Sequence, residues 1–406
     1  MEKMKVPRCK GTKDLMPLDM ALFRRIENVF TTSCVKWGYK EVRTPTLEYL
    51  HLFTSAGTLT PEMLGRVYSF LDWDGWSGER VVLRPDGTIP IARMYAETMS
   101  ESGLAKLFYV ENLFAFDSTG HESRERWECG VELIGDTGIS GDVELIMLAL
   151  ETLAKLGIND VEVRLSHAGL IRELLDEVGS AELLQKLIDG KKDAINELKS
   201  VNTDLAKKLS LIFGVNGKNK GYLDNLRAIF PTLSATFDDL SNVTQLLEAA
   251  GLNYNLQLAS GLGFEYYTGT IFQLYYKGKK LGGGGRYDEL IPLVGDGPTP
   301  ASGFALYVGH IMQIVQPIKP ADASAKRILI KPSGTDADSM KGCYGLADSL
   351  RKKDYIVELE LCCRDEDGYS WIITGDKEFS LTENTTGKQQ KGLSGAQVIK
   401  CLEASL

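Results

Sequence analysis

The sequence of residues 108–114 is Phe108-Tyr109-Val110-Glu111-Asn112-Leu113-Phe114, one of several short apolar runs that turn residues separate between positions 80 and 135. This pattern is typical of an antiparallel sheet. Strand-like runs return between residues 256 and 274, and Lys277-Gly278-Lys279-Lys280 predicts a hairpin turn after them. We therefore expect an antiparallel sheet built from these segments.

Helical patterns precede and follow the first strands. Leu15–Lys36 has apolar residues at helical spacing and predicts a helix that ends near Gly38. Glu41–Glu48 predicts a strand, because Pro45 keeps the residue before it out of the helical region. Residues 141–151 return to a helical period. Together with the sheet, these segments predict an α+β fold.

Residues 168–250 have a helical pattern throughout and predict a helical insertion. Its lysines include Lys191, Lys192, Lys199, Lys207 and Lys208. A basic helix can bind RNA, but no aromatic residues for base stacking are interleaved with these lysines. A solvated helix face is the commoner reason for such a pattern.

A second, smaller domain is predicted at the carboxyl end. Residues 317–324 have the composition of a linker. Beyond it we expect a small α/β unit that begins at Arg327, with a helix at Met340–Lys352, strands at Tyr355–Leu361 and Trp371–Thr374, and a closing helix from Ser394. The resulting division is a core of residues 1–320 and a second domain of residues 325–406.

Bulk composition excludes several classes of protein. The 406 residues have 43% hydrophobic and 25% charged content and a net charge of −9, which argues against a broad phosphate-binding surface. No apolar run approaches the roughly 18 residues of a spanning helix, and the first residues lack the apolar core of a signal peptide, so we expect no membrane association and a cytoplasmic protein. Seven dispersed cysteines and four histidines indicate neither a disulfide framework nor a metal site.

Several motifs carry a resemblance to a known family. Leu83-Arg84-Pro85-Asp86-Gly87-Thr88, residues 262–269 and Gly303-Phe304-Ala305-Leu306-Tyr307-Val308-Gly309-His310-Ile311 resemble motifs of the histidyl-tRNA synthetases, which are class II aminoacyl-tRNA synthetases. The resemblance implies a class II synthetase-like antiparallel sheet with flanking helices, the helical insertion and a small C-terminal anticodon-binding-like domain. It also implies that the helix and strand of residues 15–48 form a dimer interface.

The same motifs lack three arginines of that family. Ala115, Leu262 and His310 stand at these positions. Guanidinium groups stabilise the charge that develops when ATP activates a carboxylate, whereas alanine and leucine supply no charge and an unperturbed imidazole is mostly neutral at pH 7. Substitution by a neighbouring arginine, Arg124 or Arg126, is the alternative. Three independent replacements would each need such a compensation, so we expect no catalytic residues.

The resemblance also implies an amino-acid pocket. Asp86 and Thr88 stand where the family holds the α-amino group of its amino acid, and Glu128 stands where a glutamine completes that contact. Tyr266 and Tyr267 are candidate walls, although adjacent strand tyrosines are more often one core and one surface residue.

The glycine run at residues 282–285 allows two interpretations. Gly283 and Gly284 either let the backbone approach a ligand closely or form a strained strand entry. The run is not a P-loop, because no Gly-Lys-Ser/Thr follows it.

A synthetase-like chain without these arginines is similar to the regulatory subunits of ATP phosphoribosyltransferase. That resemblance implies a non-catalytic partner in the first step of histidine biosynthesis. Such a chain binds and activates the short-form catalytic subunit, as a homodimer or within a higher hetero-oligomer, and takes histidine as a possible ligand. No cofactor and no specific nucleic acid are expected, since residues 326–406 contain 12 Lys and Arg against 13 Asp and Glu. The alternatives are a divergent histidyl-tRNA synthetase and a synthetase-like protein that binds another amino acid or RNA.

Overall fold

The structure is a computed structural model. It describes residues 7–56, 64–72, 78–116, 123–188, 192–213, 221–258, 266–295, 297–316, 327–361 and 366–404. The chain divides into two compact units, residues 1–316 and 317–406. Leu262 and the predicted linker at 317–324 lie outside the described residues.

The strands of the first unit form an eight-stranded and a three-stranded sheet. They are β1 (Lys40–Glu41), β2 (Leu47–Tyr49), β3 (Ser69–Leu71), β4 (Arg80–Leu83), β5 (Ala105–Phe114), β6 (Glu125–Ile134), β7 (Glu162–His167), β8 (Asn255–Leu256), β9 (Thr270–Tyr276), β10 (Lys279–Arg286) and β11 (Ala301–Tyr307). The large sheet has the order β1-β5-β6-β11-β10-β9-β7-β8, and the small one has the order β2-β4-β3. The six central strands of the large sheet are antiparallel, as predicted, whereas β1 and β8 pair in parallel at its edges.

Helices accompany these sheets. They are α1 (Pro17–Lys36), α2 (Leu50–Ser55), α3 (Thr88–Thr98), α4 (Ile139–Lys155), α5 (Ala168–Val178), α6 (Ala181–Ile188), α7 (Lys192–Val201), α8 (Thr203–Phe213), α9 (Gly221–Ile229), α10 (Ser234–Ala249), α11 (Leu290–Val294) and α12 (Val308–Met312). The predicted helices at Leu15–Lys36 and 141–151 are confirmed by α1 and α4. None of the helices in the described parts of the chain is long and apolar enough to span a membrane.

The large sheet buries apolar side chains on both faces. On one face, Phe30 of α1 packs edge-on against Phe108 of β5, with ring centroids 5.9 Å apart. Tyr109, the next residue of β5, belongs to a second apolar cluster that also contains Ile89 of α3 and Tyr287. Successive strand side chains point to opposite faces, so β5 contributes to both cores.

The prediction of one strand over Glu41–Glu48 was wrong in its middle. Its two ends join different sheets, because β1 pairs with β5 and β2 pairs with β4. Between them, the Thr44 backbone N–H donates to Glu111 Oε1 at 2.7 Å. The same Glu111 carboxylate lies 2.7 Å from the Arg84 guanidinium in a buried ion pair. Side-chain contacts therefore replace a strand partner at this point.

Helix α3 interrupts the segment for which strands alone were predicted. Asp86 Oδ1 accepts a hydrogen bond from the Ile89 backbone N–H at 2.9 Å, which satisfies one of the unpaired donors at the start of the helix. Pro90 stands in the first turn, where its missing N–H breaks no helical hydrogen bond. An acidic residue before a proline was the signal for a helix start.

The insertion is helical in its described residues, as predicted, and comprises α5 to α10. Helix α5 ends at Gly179, whose φ of +68° is a left-handed conformation that glycine adopts without strain. The predicted hairpin turn is also confirmed. Lys277 and Gly278 have φ values of +50° and +80° between β9 and β10, and two successive positive values are typical of a type I′ turn.

The second unit has a five-stranded sheet with two helices. Its elements are β12 (Arg327–Lys331), α13 (Ala337–Arg351), β13 (Ile356–Leu359), β14 (Trp371–Gly375), β15 (Phe379–Glu383), β16 (Gln389–Leu393) and α14 (Gly395–Glu403), and the strand order is β13-β12-β14-β15-β16. Both predicted helices are present, with Asp336 and Ser394 as their N-caps. The antiparallel pair β15 and β16 was not predicted.

Candidate functional site

The acidic cluster consists of the carboxylates of Asp86, Glu128 and Glu132 with the hydroxyls of Thr88, Tyr109 and Tyr287. Glu128 and Glu132 lie on one face of β6, since residues two apart on a strand share a face. Asp86 and Thr88 precede and begin α3. With Tyr109 and Tyr287, the fold thus brings together side chains from four separate segments of the sequence.

Glu132 is the centre of this cluster. Its Oε1 accepts hydrogen bonds from Thr88 Oγ1 at 2.8 Å and from the Tyr109 hydroxyl at 3.3 Å, and its Oε2 accepts one from the Tyr287 hydroxyl. Only 1% of Glu132 is exposed, and this burial raises the pKa of its carboxyl to about 8, against the lowering effect of the hydrogen bonds. Glu132 can therefore hold a proton near neutral pH.

Asp86 precedes α3 by two residues and is also a member of the acidic cluster. Burial raises the pKa of its carboxyl, while hydrogen bonds from the backbone N–H groups of Ile89 and Thr88 and the charge of Arg126 lower it. Because its Oδ1 already accepts from Ile89, a substitution of Asp86 affects the helix start as well as any ligand.

Glu128 stands at the mouth of the cluster and is 8% exposed. Burial raises the pKa of its carboxyl to about 7. The positive charges of Arg126 and Lys280 oppose this rise, and the negative charge of Asp86 adds to it. Glu128 and Asp86 are therefore electrostatically coupled.

Three tyrosine rings form a wall beside the carboxylates. The ring centroid of Tyr266 lies 5.0 Å from that of Tyr267 and 5.7 Å from that of Tyr287. Burial raises the pKa of all three hydroxyls well above the ordinary value, and the charges of Glu132 and Asp86 act in the same direction on Tyr266 and Tyr267. These hydroxyls are neutral at physiological pH and serve as hydrogen-bond donors.

Two glycines leave room for the cluster. A Cβ at Gly130 would lie 2.1 Å from the Tyr109 ring, and a Cβ at Gly303 would lie 2.0 Å from Glu132 Oε2. Gly283 and Gly284, by contrast, lie within β10, where a Cβ would approach the backbone carbonyls of Phe272 and Gly303 to 2.7 and 2.0 Å. Close contact between strands is a sufficient reason for both of these glycines.

The outer cavity opens beside Glu128 and has a volume of about 590 Å³. Its charged or titratable lining residues are Lys13, Asp19, Glu125, Arg126, Glu128, Tyr307 and His310. His310 is exposed, and its Nδ1 lies 2.7 Å from the backbone carbonyl of Lys280, so this nitrogen carries the proton. Ala115 follows β5, where its backbone N–H donates to the Arg124 carbonyl at 3.1 Å.

Of the three positions considered, His310 lines the outer cavity, whereas Ala115 is not among its described lining residues. The third, Leu262, lies outside the described residues. Within the described ranges, no group of three or more histidine, cysteine or acidic residues has an arrangement that could hold a metal ion.

Sequence reasoning missed Glu132, Tyr109 and Tyr287. A signal for Glu132 was available, because it is the only charged residue in the run Cys129-Gly130-Val131-Glu132-Leu133-Ile134. A carboxylate within an apolar strand requires partners, which marks it for attention. No comparable local signal distinguishes Tyr109 or Tyr287 from ordinary core tyrosines.

Comparison with known proteins identifies the family. The family model for histidyl-tRNA synthetase matches residues 11–311. The chain belongs to the histidyl-tRNA synthetase family. A curated relative from Dehalococcoides mccartyi, an ATP phosphoribosyltransferase regulatory subunit, is 47% identical over 98% of both chains. The histidine–tRNA ligase of Methanocaldococcus jannaschii is 32% identical over 94% of this chain and 96% of its own.

The fold agrees with this assignment. A crystal structure of a Bacillus halodurans protein, described as an ATP phosphoribosyltransferase regulatory subunit/histidyl-tRNA synthetase, superposes with a TM-score of 0.78 over 92% of this chain and 99% of its own, at 24% identity. The predicted class II synthetase-like fold is confirmed, as is the resemblance to the regulatory-subunit paralogs of the histidyl-tRNA synthetase family.

Proposed function

We propose that the chain is a non-catalytic regulatory subunit that binds and activates short-form ATP phosphoribosyltransferase and helps mediate histidine feedback. The observation that carries this proposal is the combination of an acidic cluster suited to an ammonium group with a neighbouring cavity where His310 stands in place of an arginine. Ala115 stands at a second such position in the sequence. The regulatory-subunit name of the 47% identical relative supports it.

The missing arginines weigh against the synthetase alternative. Each charge-assisted hydrogen bond contributes about 1.5–3 kcal/mol, so three of them amount to roughly 3–7 orders of magnitude in rate if their effects add. Arg126 and Lys13 line the outer cavity, but both are exposed, and only Arg126 is a guanidinium. One exposed guanidinium does not replace three.

The ligand and the assembly follow from the same reasoning. The carboxylates of Asp86 and Glu128 suit the α-ammonium of histidine, and Glu132 suits a ring nitrogen, because a carboxylate accepts charge-assisted hydrogen bonds. Helix α1 and the β1–β2 segment resemble the dimer surface of class II synthetases. We propose that the chain is a homodimer which joins the catalytic subunit in a larger hetero-oligomer.

Two measurements test this function. The first is ATP–pyrophosphate exchange with histidine, for which we expect no rate above a control without enzyme. The second is phosphoribosyl transfer by a purified short-form catalytic subunit, which should rise when this chain is added and fall again with histidine. Exchange activity well above background would show a synthetase, and an unchanged transferase rate without copurification would exclude the regulatory role.

A further inference from the structure

The feature that carries a further inference is the segment of residues 267–269, which two parts of the first unit hold through different backbone groups. The N–H groups of Thr268 and Gly269 donate to the Arg286 carbonyl of β10 at 2.8 and 3.3 Å. The carbonyls of residues 267 and 269 accept instead from α5, the first helix of the insertion. The sheet therefore holds the N–H groups of this segment, and the helical insertion holds its carbonyls.

Two hydrogen bonds join α5 to this segment. The Ala168 backbone N–H donates to the Gly269 carbonyl at 2.9 Å, and Arg172 Nη2 donates to the Tyr267 carbonyl at 3.1 Å. Arg172 also lies 3.5 Å from the Glu289 carboxylate, but both side chains are exposed, so this ion pair contributes little to stability. The contact with Tyr267 is therefore the more important one for Arg172.

Tyr267 connects this segment to the acidic cluster. Its ring is buried, and its centroid lies 5.0 Å from that of Tyr266 and 6.3 Å from that of Tyr287. The Tyr287 hydroxyl in turn donates to Glu132. Because closely packed side chains transmit displacements, a shift of the Tyr267 backbone would disturb the tyrosine wall beside the carboxylates.

His167 fixes the start of α5. Its Nδ1 accepts a hydrogen bond from the Gly169 backbone N–H at 3.1 Å, which is an N-cap contact, so Nε2 carries the proton in the neutral ring. Only 5% of His167 is exposed, and Nε2 has no hydrogen-bond partner among the described residues. This nitrogen lies 3.6 Å from Asp239 Oδ2 of α10. One side chain thus caps the first helix of the insertion and lies beside its last helix.

Two further contacts join α5 to the beginning of α10. Thr232 Oγ1 donates to Glu173 Oε1 at 3.1 Å, and a Cβ at Gly169 would lie 3.0 Å from Thr236 Oγ1. The two ends of the insertion are therefore in contact where it leaves the sheet. A displacement of the insertion would move the start of α5 and with it the donors to the 267–269 segment.

We propose that α5 positions the 267–269 segment for ligand binding, with Arg172 and His167 as positioning residues, so that displacing the helical insertion changes the affinity for the amino acid. The inference rests on the proposed function in taking the acidic cluster and its tyrosine wall as the amino-acid site. A partner that binds the insertion then controls histidine affinity without touching the acidic cluster. By reciprocity, bound histidine stabilises α5.

The experiment is calorimetric titration of the full chain with histidine, at a temperature at which every variant is folded. Arg172→Leu removes the guanidinium donor, and Arg172→Lys keeps a cationic donor. Arg227→Leu is the matched control. Arg227 also forms ion pairs within the insertion, but its partners are Asp224 of α9 and Asp238 of α10.

We expect Arg172→Leu to weaken histidine binding about threefold to tenfold, a modest effect because Arg172 acts through the Tyr267 backbone. Arg172→Lys should recover part of this loss, and Arg227→Leu should bind histidine as the wild type does. Equal affinity in all four proteins would overturn the inference while leaving the amino-acid site in place.

A second pair of variants tests the cap of α5. His167→Ala removes the cap, whereas His167→Asn keeps a side-chain oxygen for the Gly169 N–H. We expect His167→Ala to weaken histidine binding about threefold to tenfold and His167→Asn to restore most of the affinity. A loss of folding stability in His167→Ala without any loss of affinity would show that the cap is purely structural, and would overturn the positioning role of His167.

Hydrogen exchange of the wild type covers the case in which these variants do not fold. Bound histidine should slow amide exchange in α5 more than in α8, which lies later in the insertion. Unchanged exchange in α5 at saturating histidine would overturn the inference. Histidine that binds neither the chain nor its complex with the catalytic subunit would overturn it too, while activation of that subunit would still support the regulatory function.

Discussion

The acidic cluster and the outer cavity are neighbours that share Glu128, yet they differ in how their polar groups are held. In the acidic cluster, Glu132 accepts hydrogen bonds from three hydroxyls supplied by α3, β5 and the residue after β10. In the outer cavity, His310 and Arg126 are both exposed. One part is a hydrogen-bonded polar network, and the other is an open surface whose charged side chains are Lys13, Asp19, Glu125 and Arg126 besides the shared Glu128.

This difference bears on the two activities that the proposed function distinguishes, amino-acid binding and activation by ATP. Burying carboxylates costs free energy unless they gain partners. An acidic cluster that never bound a ligand would therefore lower the stability of the fold. Phosphate activation needs fixed cations, and Ala115 and His310 stand at two of the positions where the family resemblance implies arginines. This difference supports the proposal of a chain that binds a cationic ligand and does not catalyse aminoacylation.

The largest effect that tests this comparison is the contribution of Glu132 to the pH dependence of the free energy of unfolding. Burial raises its pKa from 4.5 to about 8 in the folded chain, so the folded state holds a proton that the unfolded state has lost between these values. Its contribution to the free energy of unfolding is complete below about pH 4.5 and is lost as the pH rises through 8. This contribution to the free energy of unfolding amounts to roughly 3–5 kcal/mol.

Denaturant unfolding at pH 5 and pH 9 measures this contribution. Glutamine keeps the shape of the glutamate side chain and can still form hydrogen bonds, but it has no carboxyl proton to lose. We therefore expect the stability of Glu132→Gln to fall less across this pH range than the stability of the wild type. Glu101→Gln, which changes an exposed glutamate before β5, is the control and should follow the wild type. Parallel pH profiles for wild type and Glu132→Gln would contradict the burial of a protonated carboxyl at this position.

The next effect concerns Asp86, where ligand binding and helix capping have to be separated. Asp86→Ala removes both the charge and the acceptor for Ile89, whereas Asp86→Asn keeps an acceptor oxygen. Both should weaken histidine binding by about 1.5–3 kcal/mol, or roughly 10- to 150-fold. Only Asp86→Ala should also lower stability, by about 0.5–2 kcal/mol. If calorimetry gives wild-type affinity for both variants, with and without the catalytic subunit, the sensor lies elsewhere.

Much of the fold follows from sequence, because periodicity and turn residues act locally. The helix at Leu15–Lys36, the hairpin at Lys277–Gly278 and the helical insertion all have local causes. The strand at Glu41–Glu48 could not be predicted correctly, since the contacts that interrupt it come from Glu111 and Arg84 far along the chain.

Residues of the site could be predicted from the sequence where they belong to a recognised motif. They could not be predicted where only the pairing of distant strands brings them to the site. Asp86 and Thr88 were found from their motif, and they lie in the cluster. Tyr287 reaches Glu132 only because β10 is next to β11, a pairing between strands that no local pattern specifies. Strand pairing also decides how Gly283 and Gly284 are interpreted. In β10 they lie against backbone carbonyls of the neighbouring strands, and this close contact is a sufficient reason for glycine at both positions.

The smallest effect is expected from alanine substitutions at two glycines, Gly303 beside the acidic cluster and Gly309 on the outer cavity. A Cβ at Gly303 would lie 2.0 Å from Glu132 Oε2, 2.5 Å from the Val131 carbonyl and 2.9 Å from the Tyr287 hydroxyl. The carbonyl is backbone and cannot move away without shifting β6, so Gly303→Ala should lower stability by about 1–3 kcal/mol and weaken histidine binding. Gly309 lies in α12 on the outer cavity, and no described atom lies within 4 Å of its Cβ position.

Gly309→Ala should therefore leave stability unchanged or raise it by up to about 1 kcal/mol, since alanine favours a helix. Chemical denaturation of the two variants, followed by titration with histidine, makes the comparison direct. We expect that only Gly303→Ala loses both folding stability and histidine affinity, because its added methyl group enters the hydrogen-bonded network around Glu132. Equal stability and affinity in the two variants would mean that the acidic cluster is as open as the outer cavity.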